Sequence, residues 1–380
     1  MCHSVPFILR SESPLRSRWS PRHNGLTKTQ VVLPKTFSCR LSMVLPICDL
    51  APRTGGPMRA VIYRKSGPAG QVLQVVDLPE PAPGPGQVSV RLAYSGVNPT
   101  DWKRRLNEAP RFGEFQIPHH DGAGLIDQVG PGVDPGRRGE RVWVYHGAVG
   151  QPFGTAAEVV CVGDTQAVPL PPHVPLLQGA TIGIPYMTAA HALSFAPGDT
   201  STTVLVQGGA GAVGFAVLQL ARARGMTVVT TVSNEEKASI ARAAHPDAIL
   251  NYRAPEFAKQ LREVAPAGLE LVTEVDLDRN LATYVDQLQA GAHVVAYASN
   301  GFAENVPVRA LMFRNANLHF FVVYLLPDSQ IESAVAAVRG LHDSGNLPSL
   351  PIHEYGVHEV AQAHDDVQAG LVGRAVIRLS

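Results

Sequence analysis

The sequence predicts an α/β protein of two parts, with a β-rich first half and a doubly wound parallel sheet in the second half. The first half carries short β-type runs separated by turns rich in Gly and Pro, whereas from about Gly179 strand-like and helix-like runs alternate. A glycine-rich junction at 209–214 joins one of these strands to a helix. With 380 residues, 45% of them hydrophobic, and a net charge of zero, the chain is long enough to bury two large cores.

The β-rich half begins at Met58. Gly/Pro turns such as 81–86 separate its β-type runs. The predicted strands are 59–63, 72–76, 87–94, 124–129 and 141–145. Cys161 lies in a further apolar run, 157–162, which favours a buried thiol over a nucleophile.

The second half alternates strands with helices, which is the pattern of a parallel sheet covered on both faces. The predicted strands are 203–207, 227–232, 248–250, 269–272, 292–298 and 318–326, and the predicted helices are 213–224, 235–244 and 255–264. From Ser329 the pattern predicts one amphipathic helix and a closing strand, 374–379, that returns to the β-rich half. No apolar run reaches the roughly 20 residues that span a bilayer.

The junction after the strand 203–207 has the pattern of a dinucleotide site. Gly209, Gly211 and Gly214 form G-x-G-x-x-G between a strand and a helix. Gly209 is expected to make the tight turn, Gly211 to let the backbone approach a pyrophosphate, and Gly214 to let the helix pack on the sheet. The free N–H groups and the positive end of the helix dipole then face the phosphates.

The end of the strand 227–232 predicts which nucleotide binds. An NAD site places Asp or Glu there to bind the ribose 2′-hydroxyl, whereas this chain has Ser233 and Asn234, followed by Lys237. A hydroxyl and a cation suit a 2′-phosphate, which a carboxylate would repel. NADP(H) is therefore favoured. The alternative is that residues 235–237 are only the exposed first turn of a helix capped by Ser233 or Asn234.

Residues 1–57 differ in composition from the rest, since they hold eight Lys and Arg against two acidic residues and three of the four cysteines. Three interpretations are open: a translated upstream region ahead of a start at Met58 or Met43, an organelle transit peptide, or a basic nucleic-acid tail. In each case we expect the segment to be disordered. The rest of the chain is mildly acidic, which argues against a nucleic-acid surface, and its single Cys161 predicts a cytoplasmic setting.

Several motifs that occur in one order carry a resemblance to a known family. They are MRAV at 58–61, SGVNPTD at 95–101, ATIGIPYMTAA at 180–190, the glycine loop, VAQAH at 360–364 and GR at 373–374. From Met58 to the C-terminus the chain resembles the medium-chain dehydrogenase/reductase superfamily and, within it, the zeta-crystallin-like quinone oxidoreductases. The resemblance implies a GroES-like domain, 58–179 completed by 327–380, and a Rossmann domain, 180–326, that binds NADPH, with the active site in the cleft between them.

The resemblance also implies roles for individual residues. Asn98 and Thr188 line the nicotinamide and position the reactants. The pyrophosphate lies on Gly209, Ala210, Gly211, Ala212, Val213 and Gly214, the adenosine phosphate on Ser233, Lys237 and Tyr252, and the nicotinamide side is closed by Tyr297, Ala298, Ser299 and Asn300. The chain departs from its relatives at Lys103, where they commonly carry a Tyr near the active-site mouth, and at Ala212, where another Gly is usual. The first departure leaves the choice of substrate open.

Members of this superfamily differ in whether they bind a metal. The zinc alcohol dehydrogenases bind their catalytic zinc with Cys, His and Cys. Here Asn98 occupies the first Cys region, no Cys lies in 179–190, and the sequence has no C-x-x-C cluster for a structural metal. His120-Asp121 stands where the zinc enzymes have His-Glu, but without thiolates the pair makes a poor zinc site. We predict no metal, and we expect His120 to be a hydrogen-bonded turn residue.

The predicted reaction is hydride transfer from NADPH to a quinone or another electron-poor α,β-unsaturated carbonyl. No protein general acid is evident; Tyr94, Tyr186, His146 and Lys103 are candidates, and solvent can also protonate the product. The alternatives are an enone or enoyl-thioester reductase on the same scaffold and a protein that holds NADPH without turnover. The apolar run 318–326, last in the sheet, predicts a homodimer joined through that edge.

Overall fold

The computed structural model describes residues 56–198, 200–299, 301, 304–345 and 347–379. The predicted leader, apart from Gly56 and Pro57, lies outside these residues, and so does Asn300 of the predicted nicotinamide loop. In the part of the chain that is described, no helix is long and apolar enough to cross a membrane.

From residue 56 to residue 193 the chain is built mainly of strands. In chain order the elements are β1 (Pro57–Ile62), α1 (Ala69–Val72), β2 (Gln74–Pro79), β3 (Gln87–Val97), α2 (Pro99–Asn107), β4 (Asp121–Val129), β5 (Arg141–Val144), β6 (Val159–Gly163), β7 (Ala167–Pro169), α3 (Leu176–Gly179) and α4 (Gly183–Leu193). The predicted run 72–76 is divided between α1 and β2, and the other predicted strands of this half coincide with β1, β3, β4 and β5.

From residue 203 strands and helices alternate. The elements are β8 (Thr203–Val206), α5 (Ala212–Ala223), β9 (Thr227–Val232), α6 (Glu235–Arg242), β10 (Ala248–Asn251), α7 (Phe257–Val264), β11 (Leu269–Glu274), α8 (Leu277–Tyr284), β12 (Leu288–Ala296), α9 (Val308–Phe313), β13 (Asn317–Phe320), α10 (Asp328–Asp343), β14 (Ile352–Gly356), α11 (Val360–Ala369) and β15 (Arg374–Arg378). A short 3-10 turn, Val323–Leu325, follows β13.

Strands β8 to β13 form a sheet in the order β10-β9-β8-β11-β12-β13, and every neighbouring pair is parallel. Val204 and Val206 point to a core covered by α4, α5 and α10, whereas Leu205 between them points to the opposite core, under α7 and α8. The predicted doubly wound sheet is therefore confirmed. Its strand order reverses between β8 and β11, and open α/β sheets bind ligands in the crevice at such a point.

The β-rich part is a sheet in the order β14-β15-β3-β4-β5-β7, with β6 on β3, while β1 and β2 form a separate antiparallel pair. Strand β15 pairs antiparallel with β3, with Ala375 opposite Val97, which confirms the predicted return of the closing strand. The pairing brings Arg374, the first residue of β15, to Asn98, the residue after β3. Cys161 is buried in the core of this part, as predicted.

Helix α10 belongs with the helices of the parallel sheet. Its Ala334, Val338 and Leu341 are buried in the core that α4 and α5 share. Within 327–380, it is therefore the chain from β14 onward that joins the β-rich sheet.

The predicted strand 318–326 is wrong beyond Phe320, where β13 ends and the chain turns. Phe321, Val323 and Tyr324 pack on the core beside α4 instead of extending the sheet. An apolar run does not distinguish a buried strand from a buried turn, so the periodicity could not locate the end of the strand. Strand β13 is nevertheless the last strand of the sheet.

Candidate active site

The glycine loop lies between β8 and α5, at the carboxyl edge of the parallel sheet. Gly208, at φ +73°, makes the turn that was expected of Gly209. A Cβ on Gly209 would collide with Thr230 Oγ1, and a Cβ on Gly214 would lie 2.8 Å from the carbonyl carbon of Gly208. A Cβ on Gly211 would meet only the Gly208 oxygen, at 3.2 Å. Gly209 and Gly214 therefore serve packing, whereas Gly211 leaves room for a ligand.

The N-terminus of α5 is open to that ligand. Gly211 is the N-cap, and no side chain caps the helix. Because the first N–H groups of a helix have no intrahelical acceptor, those of Ala212 and Val213 can bind an anion. Strand β9 holds the loop, since Thr230 Oγ1 donates to the Val206 oxygen at 2.8 Å and Gly208 N donates to a threonine hydroxyl of the same strand at 3.1 Å.

The residues predicted for the adenosine phosphate lie beyond the carboxyl end of β9. Asn234 caps α6, because its Oδ1 accepts from Lys237 N at 2.9 Å. The cap of this helix therefore does not use the Ser233 hydroxyl. Tyr252 N donates to the carbonyl of the last residue of β9 at 3.1 Å, and its side chain is 44% exposed. The Arg253 guanidinium lies 5.7 Å from the Tyr252 ring. The structure thus brings Ser233, Lys237 and Tyr252 to one end of the sheet, with a second cation beside them.

A cavity of about 1030 Å³ opens at the carboxyl ends of β11, β12 and β13. Its lining includes His191, Phe195, Tyr297, Ala298, Ser299 and Phe321. The Tyr297 hydroxyl is buried and has no hydrogen-bond partner within the described ranges. The residues predicted to close over the nicotinamide side therefore border this cavity, except Asn300, which lies outside the described residues.

Asn98 lies where the β-rich sheet meets α4, and both ends of its amide are engaged. Its Nδ2 donates to Asp121 Oδ2 at 2.8 Å, and its Oδ1 accepts from Arg374 Nη2 at 3.0 Å. Asp121 Oδ1 in turn accepts from Ile184 N, in α4, at 2.9 Å. Arg374 Nη2 lies 3.7 Å from Asp121 Oδ2, and all three polar side chains are at most 5% exposed. Asn98 therefore helps to fix the positions of Asp121 and Arg374, while its Nδ2 keeps a second N–H outside these two hydrogen bonds.

Burial sets the charge state of this network. It raises the pKa of Asp121 to about 6, although the Arg374 guanidinium and the Asn98 amide lower it. It raises the pKa of Asp101 to about 8, even though that carboxyl accepts from Asn98 N at 2.6 Å. At neutral pH Asp121 is thus mostly ionised and paired with Arg374, while Asp101 is mostly protonated.

Thr188, the second residue predicted to line the nicotinamide, lies on α4 and is 5% exposed. Its Oγ1 donates to the Ile184 oxygen, one turn earlier, at 2.7 Å. Because Ile184 N also donates to Asp121, Thr188 and Asn98 are joined through one residue of α4.

Comparison with known proteins gives two family matches. Residues 84–172 match the alcohol dehydrogenase GroES-like domain, and residues 212–339 match the family described as zinc-binding dehydrogenase. The quinone oxidoreductase of Rattus norvegicus is 29% identical over 330 residues, which cover 85% of this chain and 98% of the relative. The 2-haloacrylate reductase of a Burkholderia species is 29% identical over 331 residues, which cover 81% of this chain and 94% of the relative.

Solved structures share the fold. A mycobacterial quinone oxidoreductase superposes with a TM-score of 0.72 at 25% identity, covering 84% of this chain and 99% of the other. A mycobacterial protein complexed with NADPH gives the same TM-score of 0.72, 25% identity and coverage of 84% and 99%. An NAD-dependent alcohol dehydrogenase gives a TM-score of 0.74 at 24% identity, with coverage of 85% and 100%.

The chain belongs to the medium-chain dehydrogenase/reductase superfamily, among the zeta-crystallin-like quinone oxidoreductases. It is an oxidoreductase, and the predicted fold of a GroES-like domain with a Rossmann domain is confirmed.

The zinc in the name of one matched family has no fitting site in the described part of this medium-chain dehydrogenase/reductase. Within those residues, no group of three or more His, Cys, Asp or Glu side chains could hold a metal ion. Zinc sites use thiolate, imidazole and carboxylate ligands. Here the amide of Asn98 and the carboxylate of Asp121 are bound to one another, and the nearby Arg374 guanidinium opposes a second cation. These donors do not fit zinc.

The four candidate proton donors lie in different surroundings. Tyr186 donates to Gln219 Oε1 at 2.5 Å, between α4 and α5. Lys103 is exposed on α2, with its ammonium 5.8 Å from a tryptophan ring, and Tyr94 packs on a small core of the GroES-like domain. His146 is 4% exposed, with its ring centroid 5.3 Å from that of Tyr324.

Tyr324 is a residue at the contact between the two domains that the sequence analysis did not single out. Its hydroxyl lies 2.7 Å from Thr100 Oγ1, and its ring centroid lies 4.6 Å from that of His120. The expectation that His120 is a hydrogen-bonded turn residue is wrong for its ring, because the ring faces Tyr324 and its buried Nδ1 has no partner among the described residues. No motif marks Tyr324, which the sequence placed inside the strand 318–326.

Proposed function

We propose that this oxidoreductase transfers hydride from NADPH to a quinone or another electron-poor α,β-unsaturated carbonyl, without a metal. The quinone oxidoreductase relatives, which the chain matches over nearly their whole length, support the acceptor class. The mycobacterial neighbour complexed with NADPH supports the cofactor. The observation that carries the metal-free part is the buried contact of Arg374 with Asn98 and Asp121, which puts a guanidinium where a metal would need ligands.

NADPH fits the residues at the carboxyl edge of the Rossmann sheet. The gap at Gly211 and the uncapped first turn of α5 suit the pyrophosphate. Ser233 and Lys237 suit the 2′-phosphate, and the opposing charge of Glu235 is reduced by an ion pair with Arg242 at 2.9 Å. When bound, NADPH supplies the hydride.

The chain's own contribution is to orient the reactants and to exclude water. Asn98 and Thr188 hold the junction between β3 and α4 rigid through Ile184. Tyr297, Ala298 and Ser299 border the cavity at the carboxyl edge. The donors present do not fit zinc, so we expect an acceptor that takes hydride without help from a Lewis acid. We do not expect the interconversion of simple alcohols and aldehydes, which uses such help.

A second candidate is an enone or enoyl-thioester reductase on the same scaffold. The match to a 2-haloacrylate reductase favours it, because haloacrylates carry an activated C=C bond conjugated to a carboxyl group. Both candidates use the hydride of NADPH, but the products differ. A quinone is reduced to a hydroquinone, whereas an enone or enoyl-thioester takes hydride at its β-carbon and a proton at its α-carbon.

The test is a comparison of acceptors with the purified full-length chain and NADPH. We expect oxidation of NADPH with 9,10-phenanthrenequinone or 1,4-benzoquinone, unchanged after treatment with a chelator. Turnover of 2-chloroacrylate or of an enoyl-thioester without turnover of quinones would favour the second candidate. NADPH binding with no turnover of any acceptor would leave the alternative of a non-catalytic binder. About one zinc per chain by elemental analysis, or loss of activity with the chelator, would contradict the metal-free mechanism.

The proposal also covers the domain boundaries, the oligomeric state and the cellular location. We place one domain at 58–179 together with the C-terminal strands, and the other at 180–326. We expect residues 58–380 alone to fold and to keep full activity. Strand β1 supports that boundary, because it begins at Pro57 and buries Met58, which is 1% exposed. An insoluble 58–380 chain would contradict it. We also propose a homodimer through the β13 edge and a cytoplasmic location.

A further inference from the structure

Four side chains meet where the turn after β13 contacts the GroES-like domain, and we call them the Tyr324 cluster: Thr100, His120, His146 and Tyr324. Tyr324 comes from the 3-10 turn after β13 of the Rossmann domain, whereas the other three belong to the GroES-like domain. Its ring packs on both imidazoles, at centroid distances of 4.6 and 5.3 Å. The neighbouring residue, Leu325, lines the cavity at the carboxyl edge of the sheet.

The cluster contains more hydrogen-bonding capacity than the described residues use. His120 Nδ1 and His146 Nε2 are buried, each in a side chain 4% exposed, and neither has a partner within the described part of the chain. Buried polar atoms are nearly always hydrogen-bonded, so two unpartnered nitrogens in one place indicate a polar atom supplied from outside the chain. His146 also has φ +56°, a strained backbone conformation of the kind that clusters at functional sites.

Tyr324 has the properties of a donor to that outside atom. Its side chain is half-buried, whereas the two imidazoles are buried. Thr100 is exposed and its hydroxyl lies 2.7 Å from the tyrosine hydroxyl. When Thr100 donates to the tyrosine oxygen, the tyrosine proton is free for another acceptor.

We propose that the Tyr324 hydroxyl donates a hydrogen bond to the carbonyl oxygen of the acceptor, and that the unpartnered nitrogens of His120 and His146 complete the polar pocket for that oxygen. The assignment rests on the proposed function, since it needs an acceptor with a carbonyl group. As hydride reaches the acceptor, negative charge develops on its oxygen, and a donor already in place stabilises that charge. Tyr324 is thus a catalytic residue contributed by the Rossmann domain.

The protonation states agree with this role. Burial raises the pKa of Tyr324 well above that of a free phenol, and the nearby carboxyl of Asp101 raises it further, so the hydroxyl keeps its proton. Burial lowers the pKa of His146 to about 4 and that of His120 well below its ordinary value. Both imidazoles are therefore neutral, and each carries one N–H that can donate.

The test compares three single substitutions in the full-length chain with 9,10-phenanthrenequinone and NADPH. Tyr324→Phe removes only the proposed donor. Thr100→Val removes its partner and keeps the tyrosine hydroxyl. Tyr355→Phe is the matched control, because the hydroxyl of Tyr355 is engaged elsewhere, 2.7 Å from Asp366 Oδ2. The measurements are kcat and KM for the quinone, the Kd of NADPH by fluorescence, and Tm.

We expect Tyr324→Phe to lower kcat for the quinone by about 100-fold, the usual effect of removing one donor to a developing oxyanion. The Kd of NADPH and Tm should stay unchanged. Thr100→Val keeps the tyrosine donor but loses the hydroxyl that orients it, so its kcat should fall by less than that of Tyr324→Phe. Tyr355→Phe should keep kcat within about threefold of the unmodified chain, a difference of less than about 0.7 kcal/mol.

An unchanged kcat in Tyr324→Phe would overturn the assignment. So would equal losses in Tyr324→Phe and Thr100→Val, because the hydroxyl pair would then serve only to join the two domains. An unmodified chain that binds NADPH but reduces no quinone or enone would instead refute the proposed function, and the assignment of Tyr324 with it.

Discussion

Adding a methyl group at Gly211 or at Gly214 should have opposite effects, although the two residues are one helical turn apart. At Gly214 the new Cβ would lie 2.8 Å from the Gly208 carbonyl carbon, so the loop or α5 must move. Such overpacking costs about 1–3 kcal/mol. At roughly 2–4 °C per kcal/mol for a chain of this size, Gly214→Ala should lower Tm by several degrees.

Gly211→Ala should leave stability nearly intact and weaken the nucleotide instead. Gly211 has φ −84° and ψ 161°, which alanine adopts without strain, and its Cβ would meet only the Gly208 oxygen, at 3.2 Å. A Gly→Ala change at a compatible site gains about 0.4–1 kcal/mol, which offsets a small shift of that oxygen. The methyl group, however, occupies the space left for the pyrophosphate. We expect NADPH to bind at least tenfold more weakly, a loss of about 1.4 kcal/mol.

The assay measures Tm without nucleotide, by circular dichroism, and the Kd of NADPH, by fluorescence titration, for both variants. The reasoning predicts that Tm falls in Gly214→Ala and that affinity alone falls in Gly211→Ala. A Gly211→Ala protein that binds NADPH as tightly as the unmodified chain would refute the assignment of the open side of Gly211 to the cofactor. A Gly214→Ala protein of unchanged Tm would refute the packing argument.

Three further predictions follow from other parts of the molecule. NADPH should bind at least tenfold more tightly than NADH, a difference of about 1.4 kcal/mol, and Lys237→Ala should remove most of it; equal Kd values for the two nucleotides in the unmodified chain would contradict the role of Ser233 and Lys237. Phe320→Glu should convert the proposed dimer to monomer in light scattering, because Phe320 is 68% exposed on the edge strand, whereas Leu125→Glu, at a residue 44% exposed on the GroES-like domain, should not. Asp101→Asn should flatten the pH dependence of the free energy of unfolding. Burial raises the pKa of Asp101 from 3.8 to about 8 in the folded chain, so protonation of this carboxyl stabilises the fold fully below about pH 4. The contribution is lost as the pH rises through about 8. Parallel urea-midpoint curves for Asp101→Asn and the unmodified chain between pH 4 and 8 would show that reasoning to be wrong.

The sequence predicts β8 to β12 and α5 to α7 of the Rossmann half because their signals are local, although it predicts neither α8 nor α9. Each of the predicted elements is a run of four to twelve residues, and the glycine spacing fixes one junction within six residues. Even so, the turn is made by Gly208 rather than Gly209. Both glycines precede the helix, and the spacing of the motif does not decide which of them takes positive φ.

The buried network of Asn98, Asp121 and Arg374 has no such local signal in the sequence. Arg374 and Asn98 are 276 residues apart, and they meet because β15 pairs with β3 and begins where β3 ends. The sequence shows each of them only as part of a family motif. The spacing of residues in the sequence predicts neither the two hydrogen bonds of the Asn98 amide nor the guanidinium beside Asp121. Both depend on the register of the sheet, which the hydrophobic pattern alone does not set for strands so far apart in the chain.

The position of Tyr324 depends on where strand β13 ends. Had the strand continued to 326, as its apolar run predicts, successive side chains would have alternated across the sheet, and Tyr324 would have remained part of that edge. Because β13 ends at Phe320, the chain instead turns, and the tyrosine hydroxyl comes to Thr100 in the first turn of α2. Lys103, which lies on the same helix, is exposed. In the proposed assignment the phenol is therefore supplied by the Rossmann domain rather than by α2, so the relative position of the two domains sets where that hydroxyl lies.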